Sequence, residues 1–264
     1  MKKIVYFGVL AILFSACSSV PLTGRKQILL VSEQEVLSLS SQSFTDYMKT
    51  AVPSTNKTNT ALVVKVGKKM AAVVEAYLKS NGMEAEVANF AWEFHLVKDS
   101  TANAFCMPGG KIVVNEGILP ITKNETGLAV VLGHEIAHAI AKHSNERMSQ
   151  QMLAQYGGAV LGAAMSGSTQ QKQQMAQTVY GLGAQFGVML PFSRKQESEA
   201  DKMGLIFLAM AQYDPNEAIK FWERMSEMSG GQKPLEFMST HPSDETRIAN
   251  IKKSIPEAQK YLKK

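Results

Sequence analysis

The sequence predicts an α+β fold that is mostly helical, with a small β-sheet beside one central helix. Two observations lead to this fold class. Over most of the chain, apolar residues recur at helical spacing behind Ser, Thr, Asn or Asp residues that can cap a helix. Only a few short segments alternate between apolar and polar side chains, as β-strands do, and they precede the most apolar helix. Many helices and few strands favour the α+β class.

Length and composition limit the kinds of protein that the chain can be. Its 264 residues suffice for one sizeable domain with its own core, or for two small ones. The chain is 45% hydrophobic and 19% charged, as globular proteins are. Its net charge is +5, but the basic residues form no cluster along the sequence, so the sequence predicts no nucleic-acid partner.

The N-terminal segment has the features of a secretion signal. Two lysines precede an apolar run, residues 4–14, which has signal-peptide length and is too short to span a membrane. The letters FSAC then end at Cys17 and resemble the lipobox of bacterial lipoproteins. That resemblance implies a signal peptide over residues 1–16 and a lipid on Cys17. The alternative is an ordinary signal peptide cut near Ala16.

A lipid at Cys17 predicts attachment to a membrane, because each buried methylene of an acyl chain contributes about 0.8 kcal/mol. No acidic residue follows Cys17 directly. By resemblance to enterobacterial lipoproteins this favours the outer membrane of the cell envelope, with the protein facing the periplasm. Residues 17–31 are then expected to be a lipidated tether and residues 32–264 the functional domain. Cys106 is the only other cysteine.

The first half of the domain is predicted to combine helices with strands. Residues 20–31 run into a first strand, and Ser32 with Glu35 forms a capping box that begins a helix reaching about Thr50. The next elements are predicted as a helix over 59–80, a strand within 90–99, a turn at 103–110 and a strand at 111–115.

The most apolar helix carries a metal-binding pattern. Thr122 and Glu125 form a capping box, and an apolar stripe follows. At about 100° per residue, His134 and His138 lie one turn apart on one face. With Glu135 between them they form the H-E-x-x-H pattern, which supplies two imidazoles for zinc and a carboxylate that can act as general base.

His143 cannot complete this site on an unbroken helix. It comes nine positions after His134, about 180° round the helix axis. A catalytic zinc usually takes three protein ligands and leaves one position for water. The third ligand is therefore expected elsewhere in the chain.

Residues 144–190 allow two interpretations. Small residues at helical spacing, as in YGGAVLGAAMSGS, permit close helix packing, and a polar stretch separates them from a second apolar run. One interpretation is a helical hairpin packed on the core. The other is that residues 157–190 cover the active site or contact a membrane.

The C-terminal part is predicted to be helical. Asp214, Pro215 and Glu217 give a clear helix start. The other predicted helices are one over 194–211, one at the end of 239–251 and a short last one within 256–264.

The letters RKQESEADKMG offer the missing ligand. Glu197 and Asp201 are four positions apart on a predicted helix and share a face, whereas Glu199 points about 160° away from each. Glu197 can coordinate zinc, and Asp201 can accept the ring N–H of a histidine ligand. The alternative is a solvated charged face. The H-E-x-x-H pattern upstream favours the metal site.

These motifs together resemble a known family. The chain is similar to the HtpX-like and CAAX-prenyl-protease-like zinc metalloproteases, especially the BepA- and LoiP-like lipoproteins. The resemblance covers nearly the whole chain after the signal peptide. It is carried by LTGRKQILLVS, NAFCMPGGKIVVNEGIL, LGHEIAHAIAKHSNERMS, PFSRKQESEADKMG and THPSDETRI.

The resemblance implies a gluzincin fold and a peptide-bond hydrolase. It implies that His134, His138 and Glu197 hold one Zn²⁺ per chain and that Glu135 is the catalytic carboxylate. His143 is then a structural residue just past the motif. Zinc lowers the pKa of water toward about 7, and a carboxylate such as Glu135 can move the proton to the leaving amine.

Two C-terminal residues are candidates for a further role. In BepA-like relatives a histidine that matches His241 can approach the zinc and block the water position. His241 or Arg247 can alternatively stabilise the transition state, or His241 can simply begin a helix. No helical repeat array follows, so recruitment of substrates through such repeats is not expected.

The segment before the motif helix is expected to line the substrate cleft. Asn103, Ala104 and Phe105 belong to it, and the strand that follows can pair with an extended peptide through main-chain bonds. Cys106 is expected to be a small buried side chain rather than a thiolate that caps the zinc.

The predicted function is a membrane-anchored zinc endopeptidase of the bacterial cell envelope. Its expected substrates are unfolded or misassembled envelope proteins, degraded as quality control. One alternative is a lipid-anchored chaperone or adaptor with a mainly structural zinc site, and another is a zinc hydrolase of a non-peptide substrate. Glu135 favours the enzyme, because a structural site needs no carboxylate between its ligands.

Overall fold

A computed structural model shows the arrangement of most of the chain. It describes residues 17–185, 189–229, 237–238, 241 and 246–262. The signal peptide predicted for residues 1–16 lies outside these ranges. Part of the predicted last short helix, residues 263–264, also lies outside them.

Ten helices in the described ranges surround two small sheets. The helices are α1 Glu33–Thr50, α2 Lys57–Ser80, α3 Glu84–Val87, α4 Leu119–Thr122, α5 Glu125–Ile140, α6 His143–Ala164, α7 Gln170–Ala184, α8 Leu190–Met210, α9 Glu217–Ser229 and α10 Thr246–Gln259. The strands are β1 Cys17–Ser19, β2 Lys26–Ile28, β3 Glu93–Val97, β4 Ala104–Met107 and β5 Lys111–Asn115. The predicted α+β class, mostly helical with a small sheet, is confirmed.

The larger sheet lies beside α5. Its strand order is β3-β5-β4, with β3 parallel to β5 and β4 antiparallel to it. Alternation along the sequence gives β3 buried positions such as Phe94 and Leu96. Strand β5, which was expected to pair with a substrate peptide, is already paired with a neighbour on both sides, so that expectation is wrong. Strand β4 lies at the edge of the sheet and packs against α5. The sheet therefore places one edge strand next to the helix that carries the H-E-x-x-H residues.

The smaller sheet is an N-terminal hairpin. Strands β1 and β2 pair antiparallel, with Cys17 opposite Ile28. Gly24 in the connecting turn has a φ of +67°, a conformation that glycine adopts without steric cost. Val20 of this hairpin is buried in the hydrophobic core. The segment expected to be a tether thus contacts the rest of the molecule.

Helices α5 and α8 cross at two glycines. A Cβ on Gly204 would lie 3.1 Å from the carbonyl carbon of Gly133 and 3.1 Å from the backbone nitrogen of His134. The absence of side chains at both positions lets the two backbones approach closely. This crossing brings the face of α5 with His134 against the face of α8 with Glu197.

Local chemistry sets where several helices begin. Ser32 caps α1 through its side chain, as predicted. The predicted cap of α5 at Thr122 is wrong: Asn124 accepts the N–H of Gly127, and Thr122 ends the short helix α4 before it. Helix α8 begins at Leu190 rather than at 194, because Pro191 is favourable in the first turn.

Two other segments differ from the sequence prediction. The predicted turn at 103–110 contains strand β4, whose residues Ala104–Met107 pair with β5 before the chain turns at the glycines. The predicted separate last helix does not form, because α10 continues through Pro256 to Gln259. Pro256 has no backbone N–H, so the helix lacks the hydrogen bond of that position.

Helices α6 and α7 form a helical hairpin, as one interpretation of residues 144–190 predicted, but only the start of α6 packs on the core. They are joined by hydrogen bonds from Tyr180 Oη to the carbonyl of Ala154 and from Gln177 Nε2 to the carbonyl of Gly158. No described side chain of α7 is buried. Apolar side chains are exposed on both helices, among them Tyr156, Val160, Met175 and Val179. Among the residues that the structure describes, no helix has the length and apolar character needed to cross a membrane.

Candidate metal centre

Four buried side chains converge where α5 meets α8. His134 and His138 come from α5, Glu197 comes from α8, and His241 comes from the segment before α10. One ligand atom from each lies within 4.8 Å of the others. The structure thus brings the three predicted ligands together and adds His241 to them.

The distances among these atoms are uniform. His134 Nε2 lies 3.1 Å from His138 Nε2 and 3.2 Å from Glu197 Oε2. Glu197 Oε1 lies 3.3 Å from His138 Nε2. His241 Nδ1 lies 3.2 Å from His134 Nε2 and 3.1 Å from Glu197 Oε2.

This donor set fits a zinc ion. Tetrahedral zinc bonds of about 2.0–2.1 Å place neighbouring ligand atoms about 3.3 Å apart, close to the separations found here. Among the described residues, buried Glu197 Oε1 has no hydrogen-bond partner, as expected for an oxygen that faces a cation. Imidazole nitrogens with one carboxylate are a common set of zinc ligands.

The electrostatics of the cluster also favour a cation. Burial acts to lower the pKa of His134, but hydrogen bonds to Asp201 and Glu197 outweigh it and raise the pKa to about 9. Burial likewise acts to raise the pKa of Glu197, yet the surrounding histidines hold it well below its usual range. The carboxylates therefore stabilise positive charge at this position.

Glu135 lies beside the cluster rather than within it. Its Oε2 accepts the backbone N–H of Cys106, in edge strand β4, at 3.1 Å. Its Oε1 lies 3.3 Å from His241 Nε2 and has no hydrogen bond within the described part of the chain. Burial raises the pKa of Glu135. The arrangement leaves Oε1 of Glu135 beside the ring of His241 and without a hydrogen bond among the described residues.

Asp201 contacts the other ring nitrogen of a cluster histidine. Its Oδ1 lies 2.9 Å from His134 Nδ1. Arg247 donates to both carboxylate oxygens of Asp201 at 2.8 Å, and its guanidinium lies 3.6 Å above the ring of Trp222. Burial acts to raise the pKa of Asp201, but Arg247 and His134 outweigh it, so the pKa is lowered. A charged Asp201 can fix the tautomer in which His134 Nε2 is free for metal.

Arg247 also reaches His241. It donates from Nη1 to the carbonyl oxygen of His241 at 3.1 Å. His241 itself stacks on the ring of Phe237, with 4.6 Å between the ring centroids. Arg247 Nη2 also lies 3.6 Å from Glu197 Oε2. Both C-terminal candidates therefore contact the cluster directly.

His143 is not part of the cluster, although it lies next to it. The helix breaks before it, because Lys142 adopts a left-handed conformation with a φ of 54°. His143 then begins α6 and is fully buried. Its Nδ1 lies 2.9 Å from His138 Nδ1, on the side of His138 that faces away from the metal-binding atoms.

The predicted cleft residues occupy the start of β4. Asn103 and Ala104 are buried, and Phe105 packs edge-on against Tyr47, with 5.3 Å between the ring centroids. Their side chains therefore face the protein interior or α1. The thiol of Cys106 has a pKa raised well above its usual range by burial and the nearby charge of Glu135, so it is not a thiolate. It is absent from the metal-binding group.

Sequence reasoning missed the polar network behind His138. It joins Thr23 and Arg25 of the N-terminal hairpin, Glu146 of α6 and Glu199 of α8. The letters LTGRKQ, which carried part of the family resemblance, were the only signal for it. Helical spacing correctly predicted that Glu199 points away from Glu197. The side chain of Glu199 is not solvated, however, but is buried against His143.

The fold is mostly helical α+β, and it combines an H-E-x-x-H helix with a buried His-His-Glu cluster. These features are typical of the zinc metallopeptidases that carry the H-E-x-x-H motif. Comparison with known proteins makes the assignment specific. Residues 65–255 match the family described as Peptidase family M48, and the chain belongs to that family. It is a zinc-dependent metalloendopeptidase, as the sequence predicted.

Several relatives match over most of the chain. The chain is 37% identical over 251 residues to mitochondrial metalloendopeptidase OMA1 of Schizosaccharomyces pombe, covering 93% of this chain and 68% of that protein. It is 32% identical over 271 residues to the protein of the same name from Saccharomyces cerevisiae, covering 94% and 74%. It is 28% identical over 184 residues to the beta-barrel assembly-enhancing protease of Escherichia coli, covering 67% and 38%.

These relatives correct the predicted location. The relatives from Schizosaccharomyces pombe and Saccharomyces cerevisiae, which match over more than nine tenths of this chain, are mitochondrial metalloendopeptidases. The prediction of the bacterial outer membrane facing the periplasm is therefore wrong. The metalloprotease part of the family resemblance is confirmed, and its BepA-like part is supported by the shorter matches to beta-barrel assembly-enhancing proteases.

Proposed function

We propose that the chain is an endopeptidase that degrades unfolded or misassembled membrane proteins. In this proposal His134, His138 and Glu197 hold the zinc, and Glu135 is the general base. The observation that carries it is the position of Glu135, which is buried beside the metal-binding atoms and hydrogen-bonded to edge strand β4. A purely structural zinc site has no use for a carboxylate placed there.

The chain's own residues account for the proton transfers. Bound zinc supplies Lewis-acid activation of the scissile carbonyl and of water. Glu135 accepts the proton of the attacking water on Oε1, the oxygen that faces the cluster, and returns it to the leaving amine. Cys106 N–H holds Oε2 and so fixes the direction of Oε1. Burial raises the pKa of Glu135, which makes its carboxylate a stronger proton acceptor.

Edge strand β4 supports an extended, unfolded substrate. A strand at a sheet edge offers main-chain groups that can pair with a peptide in extended conformation, which a folded protein rarely presents. Incubating the full chain with one membrane protein, in its unfolded and its folded form, tests this choice. We expect cleavage of the unfolded form alone, and none after chelation of the metal. Equal cleavage of both forms would refute the proposed substrate class.

His241 is proposed to block the metal in the resting enzyme. Its Nδ1 lies 3.2 Å from His134 Nε2 and 3.1 Å from Glu197 Oε2, the spacing expected between two ligands of one zinc ion. From there it would take the position that catalysis needs for water. We expect His241→Ala to raise basal proteolysis several-fold while zinc stays bound. The rate on an unfolded substrate is measured at matched zinc occupancy, with His95→Ala, a histidine on the sheet surface, as control.

The sign of this change separates the two roles considered for His241. If His241 stabilises the transition state, its loss lowers the rate. If it only begins a structural element, the rate is that of the His95→Ala control. Only a higher rate supports the blocking role.

Membrane attachment through a lipid on Cys17 stays a prediction. Cys17 begins β1, and apolar side chains exposed on α6 and α7 offer a second surface that suits a membrane. We expect a radioactive fatty acid to label the wild-type chain and not Cys17→Ser. Equal label on both proteins would place the lipid elsewhere.

A further inference from the structure

The two histidines of α5 are supported in different ways. His134 contacts the carboxylate of Asp201 directly through Nδ1. His138 instead contacts the imidazole of His143, whose Nδ1 lies 2.9 Å from Nδ1 of His138. The carboxylate comes one step later, where His143 Nε2 lies 3.0 Å from Glu199 Oε2.

The proton positions along this chain follow from the metal-binding atom. His138 directs Nε2 at the cluster, so in the metal-binding form this nitrogen carries no proton and Nδ1 does. Nδ1–H then donates to His143 Nδ1, which must be the unprotonated nitrogen of that ring. The remaining proton of His143 lies on Nε2 and is donated to Glu199. Each hydrogen bond thus fixes one tautomer.

Glu199 is in turn held by the N-terminal hairpin. Thr23 Oγ1 donates to one carboxylate oxygen of Glu199, and Arg25 Nε donates to the other at 2.7 Å. The two terminal nitrogens of Arg25 donate to both oxygens of Glu146 at 2.7 and 2.8 Å. Arg25 is therefore clamped between α6 and α8, directly behind His143. Bidentate pairs of this kind fix geometry as well as adding energy.

We propose that His143 and Glu199 are positioning residues that orient His138 for metal, and that docking of Thr23 and Arg25 holds them in place. The hairpin expected to be a tether thereby becomes a determinant of zinc affinity. Neither His143 nor Arg25 touches the metal-binding atoms, so both act through His138. The proposal rests on His138 being a metal ligand, as proposed above.

Zinc affinity tests this relay. It is measured by competition with a chromophoric chelator on the full chain. We expect His143→Leu, which removes both hydrogen bonds, to weaken zinc binding by roughly 10–100-fold, the usual effect of losing a partner of a metal ligand. His143→Gln, which keeps one acceptor and one donor, should recover part of this loss. The visible spectrum of the Co²⁺-substituted protein should change in His143→Leu and less in His143→Gln.

Arg25→Met tests the hairpin without altering the buried rings. It should weaken zinc binding by itself, and it should add nothing in the His143→Leu background, because both changes act on the same contact. The control is Ser149→Ala. Ser149 is fully buried in α6 and accepts the N–H of Leu30, so it fastens the same N-terminal segment without reaching Glu199.

Three outcomes overturn the relay. They are wild-type affinity in Arg25→Met, additive losses in the double variant, and an equal loss in Ser149→Ala, which would indicate general docking of the segment. The melting temperature of the metal-free variants separates a loss of affinity from a loss of fold. Failure of the ligand assignment looks different: His138→Ala would then bind zinc as tightly as the wild type.

Discussion

We expect Glu135→Gln to keep the zinc and the fold but to lose proteolysis. The amide has nearly the shape of the carboxylate and can still accept the backbone N–H of Cys106. It cannot take a proton from water and release it to the leaving amine. General-base catalysis contributes about 10²–10⁴-fold to a rate, so we expect a decrease of at least that order.

The measurement compares cleavage of an unfolded protein by wild type and variant at equal zinc content. Glu125→Gln is the matched control. It makes the same change on the same helix, where Glu125 contacts Lys65 and Tyr213 at the start of α5, far from the metal-binding atoms. The control should retain the wild-type rate. Undiminished cleavage by Glu135→Gln, in a preparation free of other proteases, would show that another group is the base.

Loss of any one proposed ligand should release the metal. We expect His134→Ala, His138→Ala and Glu197→Ala each to be purified without stoichiometric zinc. Each removes one of the three ligands that a catalytic zinc requires, and each leaves buried polar groups without their partner. Metal analysis of the purified variants, with His95→Ala as control, measures this directly.

Asp201→Asn should have a milder effect. The amide keeps an oxygen near His134 Nδ1 but loses the charge, so zinc binding should weaken by roughly 10–100-fold without being abolished. At saturating zinc this variant and the His143 variants should still contain the metal.

A full zinc complement in Glu197→Ala, in contrast, would mean that the third ligand has been assigned to the wrong residue.

The clustering of the proposed metal-binding residues was predictable because their geometry is local. Four positions make just over one helical turn, so the spacing of His134 and His138, and of Glu197 and Asp201, places each pair on one face before any tertiary contact is known. Strand β3 was predictable for the same reason, since apolar and polar side chains alternate along it, whereas β4 was predicted as a turn. No local pattern shows which faces of different helices pack against each other. Here the crossing of α5 and α8 at two glycines determines this packing.

The features that sequence reasoning missed depend on contacts between distant segments. The helix break at Lys142 needs a left-handed conformation without glycine, and ion pairs from Lys142 to Glu33 and Glu86 accompany it. Burial of Glu199 depends on Arg25, which is 174 positions earlier in the chain. Hydrophobic periodicity in the sequence predicts neither the helix break at Lys142 nor the burial of Glu199.

The separation of the cluster along the chain has a consequence for the order of folding. Contacts between residues far apart in sequence form slowly, because the entropy of closing the intervening loop is lost before the contact stabilises anything. His134 and His241 are 107 positions apart, and the crossing with α8 lies between them. A newly made chain therefore cannot assemble its active centre until its last third has folded. If its substrates are unfolded polypeptides, as proposed above, the protease is thus inactive during the period when its own chain is unfolded.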